Sequence, residues 1–84
     1  MRRVDHSREY RRAISSKHWY ALKAKRILAT GWRCERCGQR AQRLELHHLN
    51  YDRLGRERPT DVELLCGGAG RCHEQADRER RAAR

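Results

Sequence analysis

The chemistry open to this chain starts from four cysteines in two pairs and two histidines side by side. Cys34 and Cys37 stand in "WRCERCGQR" as a C-x2-C turn with Gly38 behind it. That spacing lets two thiolates converge on one tetrahedral ion, and the glycine permits the tight turn. Cys66 and Cys72 supply a second pair at the less common C-x5-C spacing, with "GGAGR" between them. Three glycines in that insert can fold it back and bring both sulfurs in. A thioredoxin-like redox pair needs a βαβ setting that this chain has neither the length nor the pattern to build. A disulfide framework belongs to oxidising compartments. The cysteines therefore read as a closed structural zinc site, Cys34, Cys37, Cys66 and Cys72. In a variant reading His73 replaces Cys72 as a ligand.

The two histidines, His47 and His48, close the stretch "RLELHH", whose alternation predicts a strand over residues 42–48. Adjacent side chains on a strand point to opposite faces. Leu44 and Leu46 take one face, Glu45 and His47 the other. One imidazole cannot stand in for its neighbour, so the pair either divides two tasks or is a pair of surface residues at a strand end.

The elements that must position these groups are few. The chain has 84 residues, enough for one domain, and it is 37% apolar with no Phe, so its core is thin. Small chains in this position borrow stability from disulfides, a metal or a partner. Residues 1–14 read as a basic arm or short helix, and residues 15–84 as the single domain. Ser15 or Ser16 can cap a helix beginning near Lys17. Helical spacing puts Tyr20, Ala24, Ile27 and Leu28 on one face, which Trp19 and Leu22 widen. Trp19 is expected as a core anchor. Lys23, Lys25 and Arg26 suit the last turns, and Gly31 suits the position just past the end. Beyond the first strand, "NYDRLGRERPTD" reads as a loop, "VELLC" as a second strand and "RCHEQADRERRAAR" as a helix. The fold class is α+β.

Lys and Arg number 21 against 11 acids, a net charge of +10 that favours polyphosphate partners. The first residues, "MRRVDHSREYRR", lack the apolar run of a signal peptide, and no later stretch is long enough to span a membrane. A cytoplasmic protein with no membrane partner is expected.

From "SSKHWYALKAKRILATGWRCERCG" through "LELHHLNYDRLGRERPTDVELLC" to "RCHEQAD", about two thirds of its length, the chain resembles the HNH endonucleases of the zinc-containing ββα-metal type. The resemblance implies a ββα-metal motif with an N-terminal helix and a four-cysteine zinc knuckle, and hydrolysis of phosphodiester bonds in DNA. It implies that His47 binds a catalytic divalent ion and that His48 is the general base. Physics agrees with that division, since a metal-bound imidazole has its lone pair occupied and a free neutral one does not. His73 matches the last histidine of the motif as a second ligand, and Asp77, one helical turn on, matches a further one, unless it pairs with Arg81. A carboxylate there suits Mg2+ or Mn2+. Asp61 falls where the family has Asn. It can accept bonds that hold the loop, or orient His48 by accepting from its Nδ1–H. Asn50 stands too close to His48 for that place. Arg53 and Arg56 are expected on phosphates flanking the cut, or as part of a solvated basic loop. A role in phage packaging, restriction or mobile elements would add partners from those systems. The alternative is a zinc-knuckle nucleic-acid-binding module without catalysis. An adaptor docking on an acidic protein is the third reading.

Overall fold

The longest helix begins where the sequence offers a cap. The Ser16 hydroxyl accepts from the Trp19 amide at 3.1 Å, and the helix runs Lys17–Thr30 to Gly31, which closes it in the left-handed conformation with φ 65°. The computed structural model describes residues 8–82. In chain order they form α1 (Glu9–Ile14), α2 (Lys17–Thr30), β1 (Leu44–His48), a 3-10 turn (Pro59–Asp61), β2 (Val62–Cys66) and α3 (Cys72–Ala82). This is a small α+β arrangement of three helices and one two-stranded antiparallel sheet. Of the expected basic arm, residues 8–14 are described and include α1; residues 1–7 and the final two residues lie outside the described set. Among the described residues no helix is long and apolar enough to cross a membrane.

β1 and β2 pair in the register Leu44↔Cys66, Leu46↔Leu64 and His48↔Val62. The pleat then sets Leu44, Leu46, His48, Val62 and Leu64 on one face and His47, Glu63 and Leu65 on the other. α2 brings Trp19 against His48, and α3 brings His73 against His47. The ribbon is thus covered on both sides, and Leu64 and Leu65 at its centre are fully buried.

α2 is rotated from the orientation its apolar spacing suggests. Trp19 and Leu22 are buried, whereas Tyr20 is 58% and Leu28 78% exposed, and Ala24 is exposed too. At 100° per residue Leu28 lies half a turn away from Trp19, so one helix cannot bury both against one sheet. The larger indole wins. Arg26, seven residues after Trp19 and on its side, then faces inward. Its guanidinium donates to Glu35 Oε1 at 2.7 Å and to the backbone carbonyl of Pro59. The last turn holds no basic residue, so the expected dipole pairing gives way to this cross-link.

The C-x2-C turn docks on the free edge of β2. The Glu35 amide donates to the Leu64 carbonyl at 2.8 Å, and the Leu64 amide donates to Glu35 Oε1 at 2.7 Å. Arg36 reaches Glu63 and Glu79, each at 3.1 Å, tying the turn to β2 and α3. Between α2 and this turn sits Trp32, the single non-glycine residue with positive φ among the described residues (63°). A left-handed L-residue costs about 1–2 kcal/mol. Its frame holds it there: the Trp32 amide donates to the Ile27 carbonyl, and its carbonyl accepts from the Ala41 amide, both at 3.0 Å.

Candidate functional site

The four sulfurs meet because three separate segments deliver them. The turn after α2 carries Cys34 and Cys37, β2 ends on Cys66, and α3 begins on Cys72. The glycine-rich insert makes the last step possible, with Gly68 at φ 115° and Gly70 at φ 71° folding the chain back within five residues. All four Sγ atoms lie within 4.8 Å of one another, Cys37 and Cys66 are 4.0 Å apart, and none is in a disulfide. Tetrahedral ligation at about 2.3 Å separates sulfurs by about 3.8 Å, so the cluster fits one metal ion.

The thiols are electrostatically unequal. Burial of Cys34 opposes ionisation, but the amides of Cys37, Cys66 and Arg36 around its sulfur overcome this and bring the thiol down to about 6. Burial also opposes ionisation of Cys66, and there Arg71, which donates to the sulfur at 3.5 Å, prevails. Cys72 is pushed up to about 12, by burial first and then by the neighbouring sulfurs. A cation at the centre would relieve that crowding of charge.

A second cluster forms across the sheet from α2. β1 directs His47 toward α3, where His73 and Asp77 stand one turn apart, and one ligand atom from each lies within 4.8 Å of the others. His47 Nδ1 is buried with no hydrogen-bond partner, and its nearest carboxylate oxygen, on Asp77, is 3.8 Å away. Burial, then the charges of Arg80 and His73, lower the His47 ring to about 4, so it is neutral with a lone pair free at pH 7. A buried unpaired imidazole nitrogen costs free energy unless something binds it. Two imidazoles and a carboxylate are a donor set that a divalent cation satisfies. Asp77 accepts from Arg80 at 2.9 Å, and not from Arg81.

His48 has a different environment. Its ring stacks on Trp19 with centroids 4.6 Å apart and planes at 16°, and Tyr51 and Tyr10 lie 5.1 and 5.8 Å away. Its side chain is 1% exposed. Nε2–H donates to Glu57 Oε2 at 2.7 Å, which leaves Nδ1 as the lone-pair nitrogen of the neutral ring. Burial lowers its pKa, and the Glu57 carboxylate opposes that shift without cancelling it. Glu57, itself 1% exposed at the side chain, also has its backbone carbonyl capped by His18 Nε2–H at 2.7 Å.

Glu57 is the residue that sequence reasoning missed. The role weighed for Asp61, accepting a proton-bearing nitrogen of His48, belongs to Glu57. Asp61 is buried and turns to the loop instead. It accepts from the Arg53 guanidinium at 2.8 Å, the Arg58 amide at 2.9 Å and Asn50 Nδ2 at 3.3 Å. Arg53, through that pair above all, holds the Asp61 carboxyl well below the usual range. Arg53 is therefore engaged in fixing the loop, while Arg56 is exposed at its tip. Next to the second cluster a cleft of about 320 Å3 is lined by His73 and Asp77, by Arg43, Arg81 and Glu74, and by Gly68 and Ala69 of the insert. Comparisons of the chain with protein-family models, with curated proteins and with solved structures give no match.

Proposed function

We propose that the chain is a metal-dependent endonuclease of the HNH type, with β1, β2 and α3 serving as a ββα-metal motif and DNA as the substrate. The observation that carries this reading is His47 Nδ1, buried without a partner beside His73 and Asp77. A divalent ion, Mg2+ or Mn2+, bound there supplies Lewis-acid stabilisation of the charge that develops on a phosphodiester. Cys34, Cys37, Cys66 and Cys72 hold a structural zinc that fixes the ends of β2 and α3, and thus the distance of His73 from His47. His48, neutral and with Nε2 committed to Glu57, keeps the Nδ1 lone pair for the role of base, which it can take only once the rings packed over it on the α2 side of the sheet open. Arg43, just before β1, and Arg81 of α3 border the cleft and supply positive charge for the phosphates, while Arg56 lies in the separate loop between β1 and β2.

The burial of His48 favours a second reading, a zinc-stabilised nucleic-acid-binding module without catalysis, because a base closed in by Trp19, Tyr51 and Tyr10 must be uncovered before it can act. Ion counting separates the two. Titration of Mn2+ into zinc-loaded protein should reveal one further site per chain, lost in His73→Ala with zinc retained. Absence of any second site in the parent protein would leave only the binding module.

A further inference from the structure

We propose that Trp32 is a stacking platform for an unpaired nucleobase, a nucleic-acid contact separate from the histidine cluster. The chain has two tryptophans. Trp19 is 6% exposed in the core, whereas Trp32 is 45% exposed. In a domain with so thin a core, an exposed indole forgoes burial that would stabilise the fold. It is also held outward against a backbone preference, at φ 63°, by hydrogen bonds on both its amide and its carbonyl. Left-handed bulky residues of this kind are genuine outliers.

The surroundings identify the ligand. Trp32 borders a cleft of about 640 Å3 together with Arg40, Ala41 and Gln42. That volume lies within the range of small-ligand sites, about 300–1,000 Å3. Arg33 and Arg40 face each other in an antiparallel bridge; the Arg33 guanidinium donates to the Gly38 carbonyl at 3.1 Å, which leaves Arg40 as the cation at the cleft. An aromatic face, exposed arginine and a carboxamide that both donates and accepts match a nucleotide: base, phosphate and base edge in turn. The net charge of +10 complements a polyanion. In a duplex the faces of a base are covered by its neighbours, so the free ring selects unpaired strands. This contact rests on nucleic acid being the partner, but not on its hydrolysis.

The test uses the full zinc-loaded chain without added Mg2+ or Mn2+. A short oligothymidylate and a blunt duplex are titrated while tryptophan fluorescence and affinity are followed. The single strand should quench Trp32 emission. Trp32→Asn removes the ring but suits the left-handed backbone. It should melt no lower than the parent, lose the quench and lose about tenfold in oligothymidylate affinity, with duplex affinity held within about twofold. Trp32→Phe should keep most of the single-strand affinity. Unchanged oligothymidylate affinity in Trp32→Asn overturns the proposal. So does dissociation of a self-associated form by that variant without an effect on the oligonucleotide, which would assign the face to a second copy of the chain. A parent protein that binds no nucleic acid overturns both this contact and the nuclease reading. Binding without cleavage, with the Trp32 effects intact, overturns the nuclease reading alone.

Discussion

Glu57 decides what His48 can be. With Nε2–H given to a buried carboxylate, the ring is oriented and its tautomer fixed; without it, the same ring is a buried polar group with no partner. Glu57→Ala should lower stability by about 1–3 kcal/mol, the cost of leaving such a donor unsatisfied. Urea unfolding measures this, and a variant as stable as the parent would show that the pair holds nothing. The two neighbouring histidines should fail differently. His48→Ala should keep zinc and the second ion but lose cleavage by about 10²–10⁴-fold, the scale of a general base. His47→Ala should also lose cleavage, through weakened ion binding, so excess Mn2+ should restore part of its activity and none of that of His48→Ala. Rescue of His48→Ala by metal would mean the roles are reversed. The adjacent histidines and the spacing of His73 and Asp77 were legible in the sequence because strand and helix periodicities place them. Glu57 was not. It sits in a loop with no period, and nothing in the string separates it from Asp52 of the same loop, which is exposed.

At the scale of elements, the C-x2-C turn, the end of β2 and the start of α3 meet at four sulfurs. The order of elements was readable from alternation, caps and glycines, and β1 begins two residues later than the alternation suggests. The face of α2 was not readable. Its apolar residues are spread around more than one side, and only the packing of Trp19 on His48 and the reach of Arg26 to Glu35 choose between them. The long C-x5-C spacing proved compatible with four converging sulfurs because Gly68 and Gly70 take positive φ. Structural zinc contributes about 10 kcal/mol or more in small peptides. Cys34→Ser should therefore unfold the domain, and purified parent protein should carry about one tightly held zinc per chain by that ligand count. The sign of the pH effect follows from the thiols. Metal takes thiolates, so zinc affinity should fall with pH already near 7, where Cys72 is protonated, and fall more steeply below about 6, where Cys34 gains its proton too. Uptake at pH 7 should release the Cys72 proton, since that thiol sits at about 12. A folded, zinc-free Cys34→Ser protein would contradict this account of the knuckle.

For the molecule as a whole, charge sets the terms of association. With +10 spread over so short a chain, DNA affinity should be largely electrostatic and weakly selective for sequence. Raising salt from low to moderate concentration should weaken binding by several tenfold steps if about six or more phosphates are contacted, and a flat dependence would point to an acidic protein partner instead. Arg43→Ala should reduce the slope by about one, since it borders the cleft at the histidine cluster. On the proposed reading, His47, His73 and Asp77 give this basic domain a metal-dependent nuclease activity. The most direct measurement is nicking of supercoiled plasmid by zinc-loaded protein across a titration of Mg2+ or Mn2+, alongside His73→Ala. Nicking should require the added ion and be largely lost in the variant while DNA binding persists. Intact DNA binding with no nicking at any ion concentration, or equal nicking by His73→Ala, would contradict that reading.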